Sequence, residues 1–226
     1  MANNASDTQA ETLKAWESRF VDFLQDREGD DASHDIHHFQ RVWCTAQQLM
    51  EDGALDADRL VALAACYFHD IVVLPKDHPE RSKASTLAAE ETERCLASMS
   101  FPEQLIPAVC HAVRAHSYSA NITPETIEAK VVQDADRMEA LGAIGLARVF
   151  YTGGKVGQKL FDAEDPLAEN RELDDRRFSL DHFELKLLRI AETMQTESGR
   201  KMAERSSQYL RDFREQFCRE LQGNYS

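Results

Sequence analysis

The sequence predicts an all-α fold, on three observations. The chain has 226 residues and 42% of them are hydrophobic, which is enough to bury one sizeable core. Only nine glycines and six prolines interrupt it, and this scarcity of turn-forming residues favours helices. Apolar residues recur at helical spacing along most of the chain, whereas no stretch shows the alternation that is typical of a strand.

Two helices are predicted in the first third of the chain. An apolar stripe at helical spacing indicates a helix over residues 35–51. The stripe consists of His38, Val42, Thr45 and Leu49. Asp58 is expected to cap a short helix, RLVALAACYFHD, that ends near Asp70. Because this segment is apolar almost all round, we expect it at the centre of the bundle.

Four further helices follow a loop, IVVLPKDHPERSK, whose two prolines and mixed charges break the helical pattern. The first is expected to begin at Ser85 or Thr86 and to run to about Ser98, and the next two are expected over residues 101–116 and 124 to about 140. The last contains Gly142 and Gly145 and is expected to end near Gly153 and Gly154. The third of them is predicted to begin with Thr123 as N-cap and Pro124 at the first helical position.

The C-terminal part of the chain is polar and irregular to about Arg177 and then closes with two amphipathic helices. Their apolar stripes are Phe183, Leu187, Ile190 and Met194 in the first, and Tyr209, Phe213, Phe217 and Leu221 in the second. We expect these stripes to be core, and an exposed part of them could form the face of a homodimer.

Charge excludes several classes of partner. The chain has 26 Lys and Arg against 40 Asp and Glu, a net charge of −14 that repels nucleic-acid polymers and anionic membranes. No apolar run is long enough to span a membrane and the first residues lack the pattern of a signal peptide, so we expect a cytoplasmic protein. The five widely spaced cysteines are expected to be reduced thiols. A phosphorylated substrate would need local cations or a metal.

Several polar residues fall where helices should face the core. His38 lies on an apolar stripe, His69 and Asp70 end the buried helix, and Asp136 lies in the helical segment VVQDADRMEALG. Imidazoles and carboxylates are costly to bury unless they are paired or bind a cation, so their convergence would indicate a metal. Taken alone, the His69-Asp70 pair is also explained by a structural histidine that a carbonyl or carboxylate satisfies.

The order His38, His69-Asp70, Asp136 resembles the H…HD…D signature of the HD-domain metal-dependent phosphohydrolases. The segments HDIHHFQRV, AACYFHD and DADRMEALGAIGLARVF are similar to one bacterial branch of that superfamily, and the resemblance covers roughly residues 30 to 155. It implies an HD-domain helical bundle with a C-terminal helical extension. The implied parts are a helical lead-in over 1–29, a metal-binding core over 30–155, and an acidic loop with a helical pair packed on the core over 156–226.

The resemblance implies four ligands for one divalent cation, namely His38, His69, Asp70 and Asp136. Two nitrogens and two carboxylates suit Mn²⁺ first, with Fe, Ni, Co, Zn or Mg as alternatives. Spacing alone does not separate Asp136 from Asp134, and Asp136 is preferred because a basic residue follows it, as is frequent in the family. The chain lacks the paired histidines that bind a second metal in some relatives, so one metal is expected.

The implied reaction is attack of metal-bound hydroxide on phosphorus, with Asp70 orienting or deprotonating the water. His111 and His116 are the candidates for protonating the leaving group, and both can reach one site only if their helix ends near Ala115. The alternative is that one of these histidines is structural and the other is exposed at a helix end.

Lys76, Arg81 and Lys83 are the candidate substrate-binding residues. They flank Ser82 and Ser85 in the loop after His69-Asp70 and form the densest cationic stretch near the expected metal. The alternative is a solvated charged loop.

The function implied is hydrolysis of a small phosphorylated molecule, with a nucleotide preferred, by a nucleotidase or nucleotide pyrophosphohydrolase; the bond cleaved is left open. An HD-type di-iron oxygenase and a catalytically silent ligand- or partner-binding HD module are the alternatives.

Overall fold

The computed structural model describes residues 2–25, 36–74, 78–117 and 120–225, and these parts of the chain are α-helical apart from turns, loops and one isolated bridge between Lys159 and Phe178. The all-α prediction is therefore confirmed. The helices are α1 (Ala2–Gln25), α2 (Ile36–Asp52), α3 (Arg59–Phe68), α4 (Ala84–Ser98), α5 (Ile106–Ala115), α6 (Ile127–Met138), α7 (Gly142–Lys155), α8 (Asp181–Leu185) and α9 (Glu197–Leu221). Three 3₁₀ segments are Arg81–Lys83, Glu103–Leu105 and Leu187–Thr193.

The chain divides into two compact units, Met1–Asp136 and Arg137–Ser226. The first unit ends earlier than the predicted core of residues 30–155, whose boundary stays a prediction. None of the helices that the structure describes is both apolar enough and long enough to cross a bilayer.

Helix α3 forms the centre of the first unit and contacts α1, α2, α4 and α5. Every residue from Val61 to Phe68 is buried, which agrees with the nearly continuous apolar sequence of this helix. The predicted cap is confirmed, because Asp58 Oδ1 accepts from the backbone N–H groups of Leu60 at 2.9 Å and Val61 at 3.1 Å. A buried helix in this position carries the residues that follow Phe68 into the interior of the unit.

The predicted start of α6 at Pro124 is wrong. The helix begins at Ile127, and Thr126 in place of Thr123 supplies a capping oxygen, which accepts from the Ala129 N–H at 3.2 Å. The Glu125 N–H donates to His111 Nε2 at 3.0 Å, and this bond holds the residues before α6 outside the helix.

The single helix predicted along the stripe from Phe183 to Met194 is also wrong. The short α8 ends at Leu185, and a 3₁₀ segment then runs over Leu187–Thr193. A 3₁₀ helix repeats every three residues, so the spacing from Leu187 to Ile190 fits it as well as an α-helix. Phe183, Leu187 and Met194 nevertheless lie in the apolar core of the second unit, as the stripe predicts.

Tight packing in the second unit gives a matched pair of glycine substitutions in α7. A Cβ at Gly145 would overlap the backbone carbonyl of Ala140, whereas a Cβ at Gly154 would meet no atom within 4 Å. We expect Gly145→Ala to lower the free energy of unfolding by about 1–3 kcal/mol or more. Gly154→Ala should leave it unchanged or raise it by up to about 1 kcal/mol, because alanine is the better helix former. Urea denaturation of both variants measures this, and equal effects would contradict it.

Candidate metal centre

Three separate helical segments bring the side chains of His38, His69 and Asp136 together. His38 lies on the buried face of α2, His69 is the C-cap of α3, and Asp136 lies in the last turn of α6. His38 Nε2 is 3.2 Å from His69 Nε2, and Asp136 Oδ1 is 3.7 Å from the first nitrogen and 3.6 Å from the second. Within the described part of the chain, these three residues offer ligand atoms that all lie within 4.8 Å of one another.

The ring of His69 is oriented by the end of its own helix. His69 is 0% exposed, and its Nδ1 donates to the backbone carbonyl of Cys66 at 2.9 Å. The edge of the ring also faces Phe39, with the two centroids 5.5 Å apart and the planes at 87°. Because Nδ1 donates to this carbonyl, Nε2 is the ring nitrogen that is turned to the other ligand atoms.

Asp70 extends the cluster toward His116. Its Oδ2 lies 3.7 Å from His69 Nε2 and its Oδ1 lies 3.3 Å from His116 Nε2. His116 is the C-cap of α5, which ends at Ala115, and its Nδ1 donates to the carbonyl of Val113 at 2.6 Å. Asp70 therefore lies between the three ligand atoms described above and a buried histidine.

Two groups of the site have shifted pKa values. Burial alone would lower the pKa of His116, but its hydrogen bond to Asp70 and the charges of Asp70 and Asp136 outweigh burial and raise this pKa to about 9. Burial likewise opposes the ionised form of Asp136, but the hydrogen bond to His69 and the charges of His69, His116 and His38 hold its pKa well below the usual range. Asp136 is therefore a carboxylate at neutral pH.

The donor set fits a divalent cation. Ligand bonds of about 2.0–2.2 Å place neighbouring donors roughly 3–3.5 Å apart, close to the separations of 3.2–3.7 Å between these side chains. Imidazole nitrogens with carboxylates suit Mn²⁺, Fe²⁺, Co²⁺, Ni²⁺ or Zn²⁺. Two imidazole nitrogens and a carboxylate oxygen that face one another this closely need a proton or a cation among them.

The two aspartates that spacing could not separate take different positions. Asp136 belongs to the group of converging ligand atoms and Asp134, which is 0% exposed, does not. His34, which lies one turn before His38, is outside the described residues. The geometry favours Asp136, and its role as a ligand stays a prediction.

The two histidine candidates for acid catalysis also take different positions. His116 contacts Asp70, whereas His111 Nε2 accepts from the backbone N–H of Glu125 in the segment before α6. Sequence reasoning missed Gln133, whose Nε2 donates to the carbonyl of Ala115 at 2.7 Å and so holds the backbone beside His116. A glutamine between the apolar residues of α6 is the signal that could have identified it.

A cleft lies beside Asp70 and His116. Its lining residues are Asp70, Val72, Val73, Leu74, Arg81, Ala84, Ser85, His116 and Ser117. Of the three predicted cations, Arg81 lines the cleft, Lys83 has a side chain that is 66% exposed and pairs with Glu80 at 2.7 Å, and Lys76 is outside the described residues. The binding roles of all three stay predictions.

Comparison with known proteins gives relatives over almost the whole chain. The model of the HD domain matches residues 35–141. The uncharacterised protein YpgQ of Bacillus subtilis strain 168 is 28% identical over 219 residues, 95% of this chain and 95% of YpgQ. The crystal structure of an HD-superfamily hydrolase from Bacillus thuringiensis is similar with a TM-score of 0.71 and 29% identity, covering 92% of this chain and 97% of its own. The structure of B. subtilis YpgQ in complex with ADP gives a TM-score of 0.66 and 26% identity, covering 94% and 95%.

Proposed function

We propose that this chain, whose residues 35–141 match the model of the HD domain, is a divalent-metal-dependent phosphohydrolase that acts on a nucleotide. One observation carries the proposal. The buried Nε2 atoms of His38 and His69 and a carboxylate oxygen of Asp136 converge within 4.8 Å, next to a cleft that Asp70 and His116 line.

His38, His69, Asp70 and Asp136 would hold the cation. When bound, a divalent cation lowers the pKa of coordinated water and polarises a phosphoryl oxygen. Asp70 has a second task in this proposal, because its Oδ1 is turned to His116 while its Oδ2 is turned to His69. The carboxylate can thereby orient the attacking water by accepting its proton in a hydrogen bond.

His116 is the proposed general acid. Its Nδ1 donates to the Val113 carbonyl and its Nε2 is turned to Asp70 and the cleft, so a proton on Nε2 would lie between the ring and this carboxylate. A proton on Nε2 can pass to the oxygen of the leaving group, which would otherwise depart as an unstable anion. Gln133 supports this position through the Ala115 carbonyl.

A nucleotide is the proposed substrate because B. subtilis YpgQ, a relative over 94% of this chain, has been crystallised with ADP. The net charge of −14 means that the surface as a whole does not attract a nucleotide, so its phosphates have to be bound by the cation and by residues of the cleft.

The test is a screen of the purified chain, loaded in turn with Mn, Fe, Co, Ni, Zn and Mg, against a panel of nucleotides. Inorganic phosphate and pyrophosphate are measured separately, and the metal content is measured as ions per chain. We expect release that depends on the cation, disappears with a chelator, and accompanies one bound ion per chain. Two ions per chain with no release would favour an oxygenase, and one ion with no release for any cation would favour a silent binding module; either result would contradict the proposal.

A further inference from the structure

The cleft beside the candidate metal centre contains a buried hydroxyl that has no partner. Ser85 is 2% exposed, and its Oγ makes no hydrogen bond to any residue that the structure describes. Ser85 lies in the first turn of α4 and lines the cleft together with Asp70 and His116. A buried hydroxyl without a partner destabilises a protein, so its presence calls for an explanation.

Two other hydroxyl groups of α4 donate to backbone carbonyls of their own helix. Thr92 Oγ1 donates to the carbonyl of Ala88 at 2.7 Å, and Ser98 Oγ donates to the carbonyl of Cys95 at 2.7 Å. Both satisfy their hydroxyl on the preceding turn of the helix, which is the usual arrangement in a helix interior. Ser85 differs from them, because its Oγ makes neither this bond nor a capping bond.

Arg81 supplies a cation among the residues that line the same cleft. It begins the 3₁₀ segment that leads into α4, and its Nη1 donates to the carbonyl of Leu74. Within the described ranges no carboxylate forms an ion pair with it, in contrast to Lys83, which pairs with Glu80, and Arg94, which pairs with Glu91. A guanidinium has five N–H donors, so the bond to Leu74 leaves most of its donors available to a ligand.

We propose that Ser85 and Arg81 form a subsite for a phosphoryl group of the substrate, on the wall of the cleft next to Asp70 and His116. A hydroxyl donor and a guanidinium together match a group that is rich in negatively charged oxygens, and a phosphate offers several such acceptors. The subsite rests on the proposed function for the identity of its ligand, because the phosphoryl group it holds belongs to the molecule that the enzyme hydrolyses.

This arrangement separates two tasks in one cleft. The ligands of the cation act on the phosphorus atom that is attacked, and Ser85 with Arg81 holds a second part of the substrate and so fixes its orientation. Val72, Val73 and Leu74 also line the cleft, and they carry no charge that would compete for the anion. A substrate with two linked phosphoryl groups can therefore use both positions at once.

The test is a titration of the metal-free, 226-residue chain with inorganic pyrophosphate, in which isothermal titration calorimetry measures the binding. Because no cation is present to bind the anion, the affinity for pyrophosphate measures the contribution of Ser85 and Arg81. We expect Ser85→Ala and Arg81→Gln each to weaken pyrophosphate binding about tenfold or more, because hydrogen bonds to a charged group are the strong ones. Matched controls are Ser82→Ala, which removes an exposed hydroxyl nearby, and Arg94→Gln, which removes a paired arginine on α4; both should bind as the parent chain does.

A second measurement separates a binding role of Ser85 from a structural one. Because the hydroxyl has no partner, Ser85→Ala should leave the melting temperature of the ligand-free chain unchanged or raise it. A lower melting temperature for Ser85→Ala, full binding by both variants, or no binding of pyrophosphate by the parent chain would each overturn the inference. The proposed function fails separately: pyrophosphate binding that depends on Ser85 and Arg81, with no nucleotide hydrolysed under any cation, would leave the subsite in place and refute the hydrolase.

Discussion

Asp136→Asn and His69→Ala are each expected to abolish stoichiometric metal binding and to lower kcat/KM for the nucleotide by about 10³-fold or more. A catalytic cation contributes several kcal/mol to the transition state, and each 1.36 kcal/mol corresponds to a tenfold change in rate. His69 is the central residue of the site, since its Nε2 lies within 3.2–3.7 Å of His38, Asp70 and Asp136. Metal content per chain and steady-state kinetics measure both effects.

Two features of the design separate loss of the metal from loss of the fold. Asp136→Asn keeps the volume of the side chain and removes only its charge, so circular dichroism should match that of the parent even if His69→Ala is destabilised. The control is His37→Ala, which removes an exposed histidine next to His38 in the sequence. Among the described interactions, His37 Nδ1 contacts only the exposed Gln40. This variant should retain full metal content and activity. One bound ion and unchanged kinetics in Asp136→Asn would contradict the assignment of the site.

His116→Gln is expected to lower kcat for a nucleotide by about 10²–10⁴-fold while leaving metal content unchanged. The contribution of a general acid to the rate increases with the basicity of the leaving group. A substrate whose leaving group is a weak base, such as a p-nitrophenyl phosphate ester, needs no proton from the enzyme. The variant should therefore be much less impaired with that ester, and kcat for the two substrates measures the difference.

The same pair of substrates tests the alternative residue. If His116→Gln lowered kcat equally for both substrates, the histidine would act by positioning Asp70 and the assignment as general acid would be wrong. If His111→Gln showed the dependence on the leaving group and His116→Gln did not, the proton would come from His111, in spite of its bond to the Glu125 N–H.

The parts of the fold that the sequence predicted correctly are those where one local signal is sufficient. The Asp58 cap and the apolar run after it define α3, because a capping oxygen and a fully buried helix depend on few other residues. The start of α6 depends on a bond between Glu125 and His111, fourteen positions apart, and no pattern near Thr123 carries that information. The first predicted closing helix failed because its apolar spacing fits both an α-helix and a 3₁₀ helix.

The candidate site was predictable as a set of residues but not as a geometry. Asp134 and Asp136 both have apolar neighbours at helical intervals, and only the rotation of α6 against α2 and α3 decides which carboxylate meets the imidazoles. His116 and His111 present the same problem on α5. The orienting groups are even less visible in a sequence, because the carbonyls of Cys66 and Val113 belong to the backbone and any residue type could supply them.

The three converging ligands lie on α2, at the end of α3 and at the end of α6, so a bound cation changes how the first unit unfolds. A bound cation acts as a cross-link that closes two long loops, one from His38 to His69 and one from His69 to Asp136. Such a cross-link removes chain entropy from the unfolded ensemble, and ion release has to accompany the opening of any of these helices. The amide protons of α2 and α6 would then exchange with solvent in a single concerted event when the ion is present, and independently of each other once it is chelated.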